Sequence, residues 1–202
     1  MRTLVIDTAT KACSVALFHG QSLLAASYDV IGRGHAEHLL PLIAALPERG
    51  RADQIMVDVG PGSFTGIRIG VAAAKALGLA WEVPVNGYGC LSLVAAMALE
   101  KCPDATAVDI VMTGGHGEYF FGSFNATASS ISPTISIKPD AISAKSRAPL
   151  ISGDFDPKIL GKSWIDLLPD AKKWHLITDL PMLMPTPVYG RAPDAKPLMV
   201  PA

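Results

Sequence analysis

Thr3-Leu4-Val5-Ile6-Asp7-Thr8-Ala9-Thr10 opens the stretch that decides the fold. Three apolar residues, Leu4, Val5 and Ile6, run into an Asp and a turn of small hydroxyl residues. That pattern predicts a buried strand, 3–7, closed by a turn at 8–11. Ala12 to Phe18 predicts a second strand, His19 to Ser22 a turn, and Leu23 to Tyr28 a third strand. Connections this short make the three strands an antiparallel meander.

Working outward, a helix is predicted over His35 to Leu46, a near-continuously apolar strand over Gln54 to Val59, and a glycine-rich turn over Gly60 to Gly66. An alanine-rich helix follows over Thr65 to Ala80, then a short strand at Pro84-Val85 and a helix over Leu91 to Glu100. The order β-β-β-α-β-α-β-α is that of a ribonuclease-H-like unit. Beyond Cys102-Pro103-Asp104 the opening pattern recurs: strands at Val108 to Met112, Tyr119 to Phe124 and Thr134 to Ile137. Recurrence after about a hundred residues predicts an internal duplication. The expected fold is therefore α/β, a duplicated ribonuclease-H-like (actin-like) fold. It has an N-terminal lobe over 1–102 and a reduced C-terminal lobe over 103–202.

Composition excludes several classes. Half of the 202 residues are hydrophobic, 17% are charged, and the net charge is −1. No basic stripe marks a stand-alone RNA-binding module. The longest apolar run, Val71 to Val83, is broken by Lys75 and Glu82 and is too short to cross a bilayer. The N-terminal apolar stretch stops at Asp7, unlike a signal peptide. Cys13, Cys90 and Cys102 lack metal-ligand spacing and fit free thiols of a reducing compartment. A cytoplasmic protein without a membrane partner is expected.

Four features carry candidate chemistry. Asp7, Thr8 and Thr10 form a candidate phosphate turn, because small hydroxyls and free N–H groups suit an anion. Ordinary turn chemistry explains the same residues. A matching second-lobe turn, Thr113 to Gly117, has no carboxylate until Glu118. Gly60-Pro61-Gly62-Ser63-Phe64-Thr65-Gly66 lacks the Gly-Lys-Ser/Thr ending of a P-loop, and Ser63 or Thr65 is suited to cap the following helix. His35 and His38 invite a zinc reading, but no third ligand is evident.

The two N-lobe helices form the fourth feature. Leu39, Leu42, Ile43 and Leu46 form a stripe, and Leu40, Ala44 and Ala45 fill the other side. In the next helix Gly66, Gly70, Ala74 and Gly78 form a small-residue ridge. Helices apolar on more than one face are either sandwiched inside their own lobe or form a partner surface, which would be made of His38, Leu39, Leu42, Ile43, Leu46, Gly66, Ile69, Gly70, Ala73, Ala74 and Leu77.

These motifs resemble the TsaB (YeaZ) family, strongly over residues 1–100 and thinly beyond. The resemblance rests on Leu4 to Leu17, His35 to Pro41, the run Gly60 to Gly70, Gly117-Glu118-Tyr119-Phe120, and Pro187-Val188-Tyr189-Gly190-Arg191. Two departures stand out: Thr113-Gly114-Gly115 replaces the usual Asp-Ala-Arg, and prolines interrupt Leu180 to Pro185. The resemblance implies a non-catalytic scaffold in forming N6-threonylcarbamoyladenosine at position 37 of tRNAs reading ANN codons. It implies a TsaD-like catalytic paralogue and a TsaE-like ATPase as partners, tRNA contact only through the complex, and a homodimer in isolation. No cofactor is expected in the isolated subunit, since ATP and metal belong to the partners. The residues leave two alternatives: a small actin-like ATPase or kinase, or an M22-type metallopeptidase.

Overall fold

The computed structural model describes residues 1–155 and 163–190. Two five-stranded mixed sheets share one topology. In the first, β1 (Arg2–Asp7), β2 (Ala12–His19) and β3 (Ser22–Val30) form the predicted meander. β4 (Gln54–Asp58) then joins β1 in parallel and β5 (Val85–Tyr88) joins β4, giving the order β3-β2-β1-β4-β5. In the second, β6 (Ala107–Gly115), β7 (Glu118–Asn125) and β8 (Ile135–Ile137) repeat the meander. β9 (Leu150–Gly153) and β10 (Ser163–Asp166) complete the order β8-β7-β6-β9-β10. The duplicated, two-lobed α/β fold is thus present in full topology.

The copies differ in their helices. α1 (His35–Ala45) links β3 to β4, and α2 (Phe64–Trp81) links β4 to β5. The described counterpart of α1 is shorter. α4 (Pro139–Lys145) links β8 to β9, and only residues 154–162 join β9 to β10.

Packing does not follow the expected boundary at residue 102. α3 (Cys90–Lys101) lies against β6, β7 and β9 of the second sheet. In exchange, a 3-10 turn at Ala171–Ile177 lies on β1, β2 and β3 of the first. Phe18 and Trp174 meet edge to face at 5.6 Å across this junction. α3 is the helix buried all round, through Leu91, Leu93, Val94, Ala95, Ala96, Met97 and Ala98. It carries no charge before Glu100, so nothing on it demands water.

The small-residue ridge of α2 corrects an expectation. Gly66, Gly70, Ala74 and Gly78 are all buried, and they face the sheet of their own lobe. A Cβ on Gly70 would sit 2.4 Å from Thr8 Oγ1, and one on Gly78 would sit 2.3 Å from Val85. The ridge lets α2 lie close on the sheet, so the glycine cost of roughly 1 kcal/mol each is recovered inside the lobe. Leu39 and Ile43 of α1, and Leu46 just after it, are likewise core residues, at 1%, 3% and 5% exposure. None of these can also touch a partner. From Leu180 to Pro185 the chain forms no helix, and Leu183 and Gly87 exchange two backbone hydrogen bonds at the β5 edge.

Asp109 anchors the second lobe. Its buried carboxylate accepts from Ser123 Oγ at 2.6 Å, Ser146 Oγ at 2.8 Å, and the Arg147 and Ala148 amides at 2.8 and 2.9 Å. It pins the chain after α4 to β6.

The ridge orientation gives a direct test by urea unfolding. Ala74→Arg forces a charged side chain into the α2–sheet contact and is expected to abolish folding. Ala76→Arg, two residues on and exposed on the far side of the helix, is expected to leave the chain able to fold.

Candidate functional site

The turn after β1 and the loop before α2 are moulded onto one another. The Ser63 amide donates to Ala9 O at 2.6 Å, and Thr8 Oγ1 donates to Gly66 O at 2.7 Å. A Cβ on Gly62 would come within 2.1 Å of Ala9 O, and one on Gly66 within 2.0 Å of Thr8 O. Only bare backbone fits there, which explains both glycines. Ser63 is the helix cap: its Oγ accepts from the Gly66 amide at 3.2 Å. Thr65 lies inside the first turn and is exposed.

This clamp changes the reading of the candidate phosphate turn. Asp7 and Thr8 are fully buried, and Thr10 is 9% exposed. Asp7 accepts from the Ala9 amide at 3.3 Å and from Tyr88 Oη at 3.0 Å. Thr8 is spent on α2, and Thr10 Oγ1 accepts from the Ala12 amide at 3.2 Å. Asp7 and Thr8 are therefore structural groups out of reach of a ligand. Of the three, Thr10 alone borders open space.

That space is a cleft of ≈ 940 Å³ between the lobes. The turn after β1 and the end of β6 both reach it, through Thr10 and Lys11 on one side and Thr113 to His116 on the other. Arg68 reaches in from α2, over the Phe64 ring at 3.7 Å, with its Nε donating to Tyr189 Oη at 2.8 Å. The tail returns here because the Val188 amide donates to Val59 O at 2.7 Å. Arg191, part of the quoted tail motif, lies outside the described residues.

The sequence reading missed one cleft group. Asp154 follows β9 as Asp58 ends β4, and it accepts from the Thr113 amide at 2.6 Å. The second-lobe turn thus has a carboxylate after all, supplied by a strand forty residues away. An Asp just after an apolar strand was the available signal. Glu118, the carboxylate first considered, accepts from Ser136 Oγ at 2.6 Å instead.

Below the clamp, Asp7 and Asp58 end adjacent strands. Burial pushes both carboxyls up, Asp58 well above the usual range, where the Asp7 charge adds to the effect. Burial also pushes Tyr88 and Cys90 well up.

The two histidines diverge. His35 is buried, with Nε2 at 3.1 Å from Ala12 O, whereas His38 is exposed, with Nδ1 at 2.9 Å from Gly34 O. They do not converge on one ion. Of the remaining expected partner residues, His38 is exposed, and Leu42, Ile69, Ala73 and Leu77 are half-buried. Around them α1 and α2 expose residues the expectation left out: Leu40 at 53%, Leu79 at 84%, and the smaller Ala36, Pro41, Ala44, Ala72, Ala76 and Ala80.

Comparison with known proteins adds to this geometry. Residues 29–149 match the family model described as TsaD: tRNA N6-adenosine threonylcarbamoyltransferase. The chain is 34% identical to the tRNA threonylcarbamoyladenosine biosynthesis protein TsaB of Escherichia coli, over 61% of this chain and 55% of that protein's length. It spans about half of that curated relative. An uncharacterized protein of Mycobacterium tuberculosis is 30% identical, over 98% of this chain and 95% of its own. Among solved structures, a Pseudomonas aeruginosa protein described as similar to peptidase YeaZ superposes with a TM-score of 0.75 at 26% identity. That match covers 94% of this chain and 99% of the other. YeaZ from Pseudomonas aeruginosa gives 0.76 at 24% identity, over 93% and 99%.

The capping assignment separates two neighbouring hydroxyls. Ser63→Ala is expected to lower stability by about 1 kcal/mol, and Thr65→Ala by less than about 0.5 kcal/mol, in urea unfolding. Equal losses at both positions would contradict the assignment.

Proposed function

We propose, from the premise that this chain belongs to the TsaB (YeaZ) family, that it serves tRNA threonylcarbamoyladenosine biosynthesis as a non-catalytic partner subunit. Its partner in this reading is a TsaD-like paralogue that carries the chemistry, joined by a TsaE-like ATPase. tRNA is met only through the assembled complex. The isolated chain binds no cofactor of its own, pairs with a second copy, and works in the cytoplasm. Among the described residues, no helix is long and apolar enough to cross a membrane.

The observation that carries the reading is the outer face of α1 and α2. Both helices bury one side on their own sheet, yet the other side remains apolar. Leu40 and Leu79 stand out among exposed alanines, and Lys75 is the lone charge of α2 between Arg68 and Glu82. A monomer gains nothing from such a face, whereas an interface core is depleted in charge in this way. A paralogue of the same fold presents two equivalent helices, so one face serves both the homodimer and the heterodimer. Half-buried Leu42, Ile69, Ala73 and Leu77 pack against the core of the lobe and keep part of their surface exposed.

The alternatives find less support in the geometry. A nucleotide-hydrolysing enzyme needs a carboxylate that reaches the phosphates, and Asp7 is sealed beneath the loop. A metallopeptidase needs histidines that converge, and His35 and His38 point to different backbone carbonyls.

The surface is tested with Leu40→Arg and Ala76→Arg, both on exposed positions. Mixed with the organism's own TsaD-like protein, the unaltered chain is expected to co-elute with it in size-exclusion chromatography. Either variant is expected to weaken that association at least tenfold while keeping the far-ultraviolet circular dichroism of the folded chain. A variant that still binds would rule out this face. Failure of the unaltered chain to bind would overturn the partner reading itself.

A further inference from the structure

Four titratable side chains lie beneath the Gly60–Gly66 loop and take no part in the partner reading. Asp7 ends β1, Asp58 ends β4, Tyr88 ends β5, and Cys90 opens α3. The register Ile6↔Val57 and the pair Asp58↔Tyr88 set the first three side by side. Exposure is 0% for Asp7, Asp58 and Cys90, and 4% for Tyr88.

Hydrogen-bond donors are short by one. Asp7 Oδ1 takes the Ala9 amide and Oδ2 takes Tyr88 Oη. Asp58 Oδ1 takes the Gly60 amide at 2.6 Å. Asp58 Oδ2 is buried and has no hydrogen-bond partner; its carboxyl engages Asp7, and the Cys90 thiol, a weak donor, is the other side chain that acts on it. A buried carboxylate oxygen left bare costs far more than one that carries a proton.

Among the described residues, no positive charge acts on this pair. The groups that act on this cluster are Cys13 from β2, Tyr28 from β3, Tyr88 from β5, Cys90 from α3, Asp170 before the 3-10 turn, and Asp154 after β9. Every one is neutral or negative. Two adjacent buried carboxylates without a cation cannot both ionise.

We propose that Asp7 and Asp58 share one buried proton, and that this proton is the catch holding the Gly60–Gly66 loop in place. Carried on Asp58 Oδ2, it supplies the missing donor and ties β4 to β1. Asp58 Oδ1 is then left to hold the Gly60 amide, two residues before the loop reaches Ala9. Without the proton, two negative charges repel beneath the loop that sets the N-terminus of α2 and one wall of the cleft. The catch lets solution pH act on the same helix that offers its outer face to a partner.

The sign of the effect follows from burial, which holds both carboxyls above their unfolded values. The contribution is complete below the unfolded carboxylate range of about 4 and is lost as pH rises through the folded value. Asp58→Asn keeps an oxygen for Gly60 and gives a fixed N–H donor to Asp7, mimicking the protonated state at every pH. Urea unfolding of the unaltered chain and of Asp58→Asn, in steps from about pH 4 to 9, is the test. The ratio of their unfolding constants is expected to climb with pH by up to tenfold per unit and then to level off. Parallel profiles would overturn the proposal. Infrared spectroscopy gives a second readout that needs no variant. The folded chain near pH 7 is expected to show the carbonyl stretch of a protonated carboxylic acid, lost on unfolding, and its absence would overturn the shared proton.

Discussion

The contact between the turn after β1 and the loop before α2 governs the rest of the first lobe. Ala9 O receives the Ser63 amide, and Gly62 and Gly66 lie against the Ala9 and Thr8 carbonyls with no room for a methyl group. The contact fixes where α2 starts, and the Gly70, Ala74 and Gly78 faces then follow it onto the sheet. It also forms one wall of the cleft and the lid over the Asp7–Asp58 pair. The signature loop is therefore a joint, built from backbone-to-backbone contact that side chains would spoil. Its hydroxyl and its glycines serve packing, whatever ligands the cleft admits.

Duplication explains the rest of the architecture and its asymmetry. Both sheets have the same strand order, but the first keeps long helices, and among the described residues the second has the seven-residue α4 between its strands. Each lobe lends a helical segment to the other: α3 covers the second sheet, and Ala171–Ile177 covers the first. The hydrophobic core is continuous across the junction through Phe18, Leu93, Phe124 and Trp174. Such a junction favours one fixed relation between the lobes, which suits a subunit that presents a surface.

Much of this was legible in the residues. The alternation of strands and turns in 3–28, the near-solid apolar run of 54–59, and Ser63 before a glycine-rich helix are local signals, and local chemistry decides them. The direction of the α2 ridge was not legible. Small residues at every fourth position look the same whether a sheet or a second helix presses on them. The all-round apolar pattern likewise occurs in α1, α2 and α3, yet α3 alone is enclosed on all sides. Burial of Asp7 and the arrival of Asp154 at the second turn depend on strands distant in sequence. No window of the sequence contains both partners.

The central claim is that this chain contributes a surface and leaves the chemistry to a paralogue. Reconstituted modification of a tRNA that carries adenosine at position 37 tests it most directly. The TsaD-like protein, the ATPase and a threonylcarbamoyl donor are supplied with and without this chain, and product nucleoside is measured by mass spectrometry. The account predicts that the chain alone yields no threonylcarbamoyladenosine and that leaving it out of the mixture abolishes or sharply lowers the yield. Product from the chain alone, or an undiminished yield without it, would contradict the account.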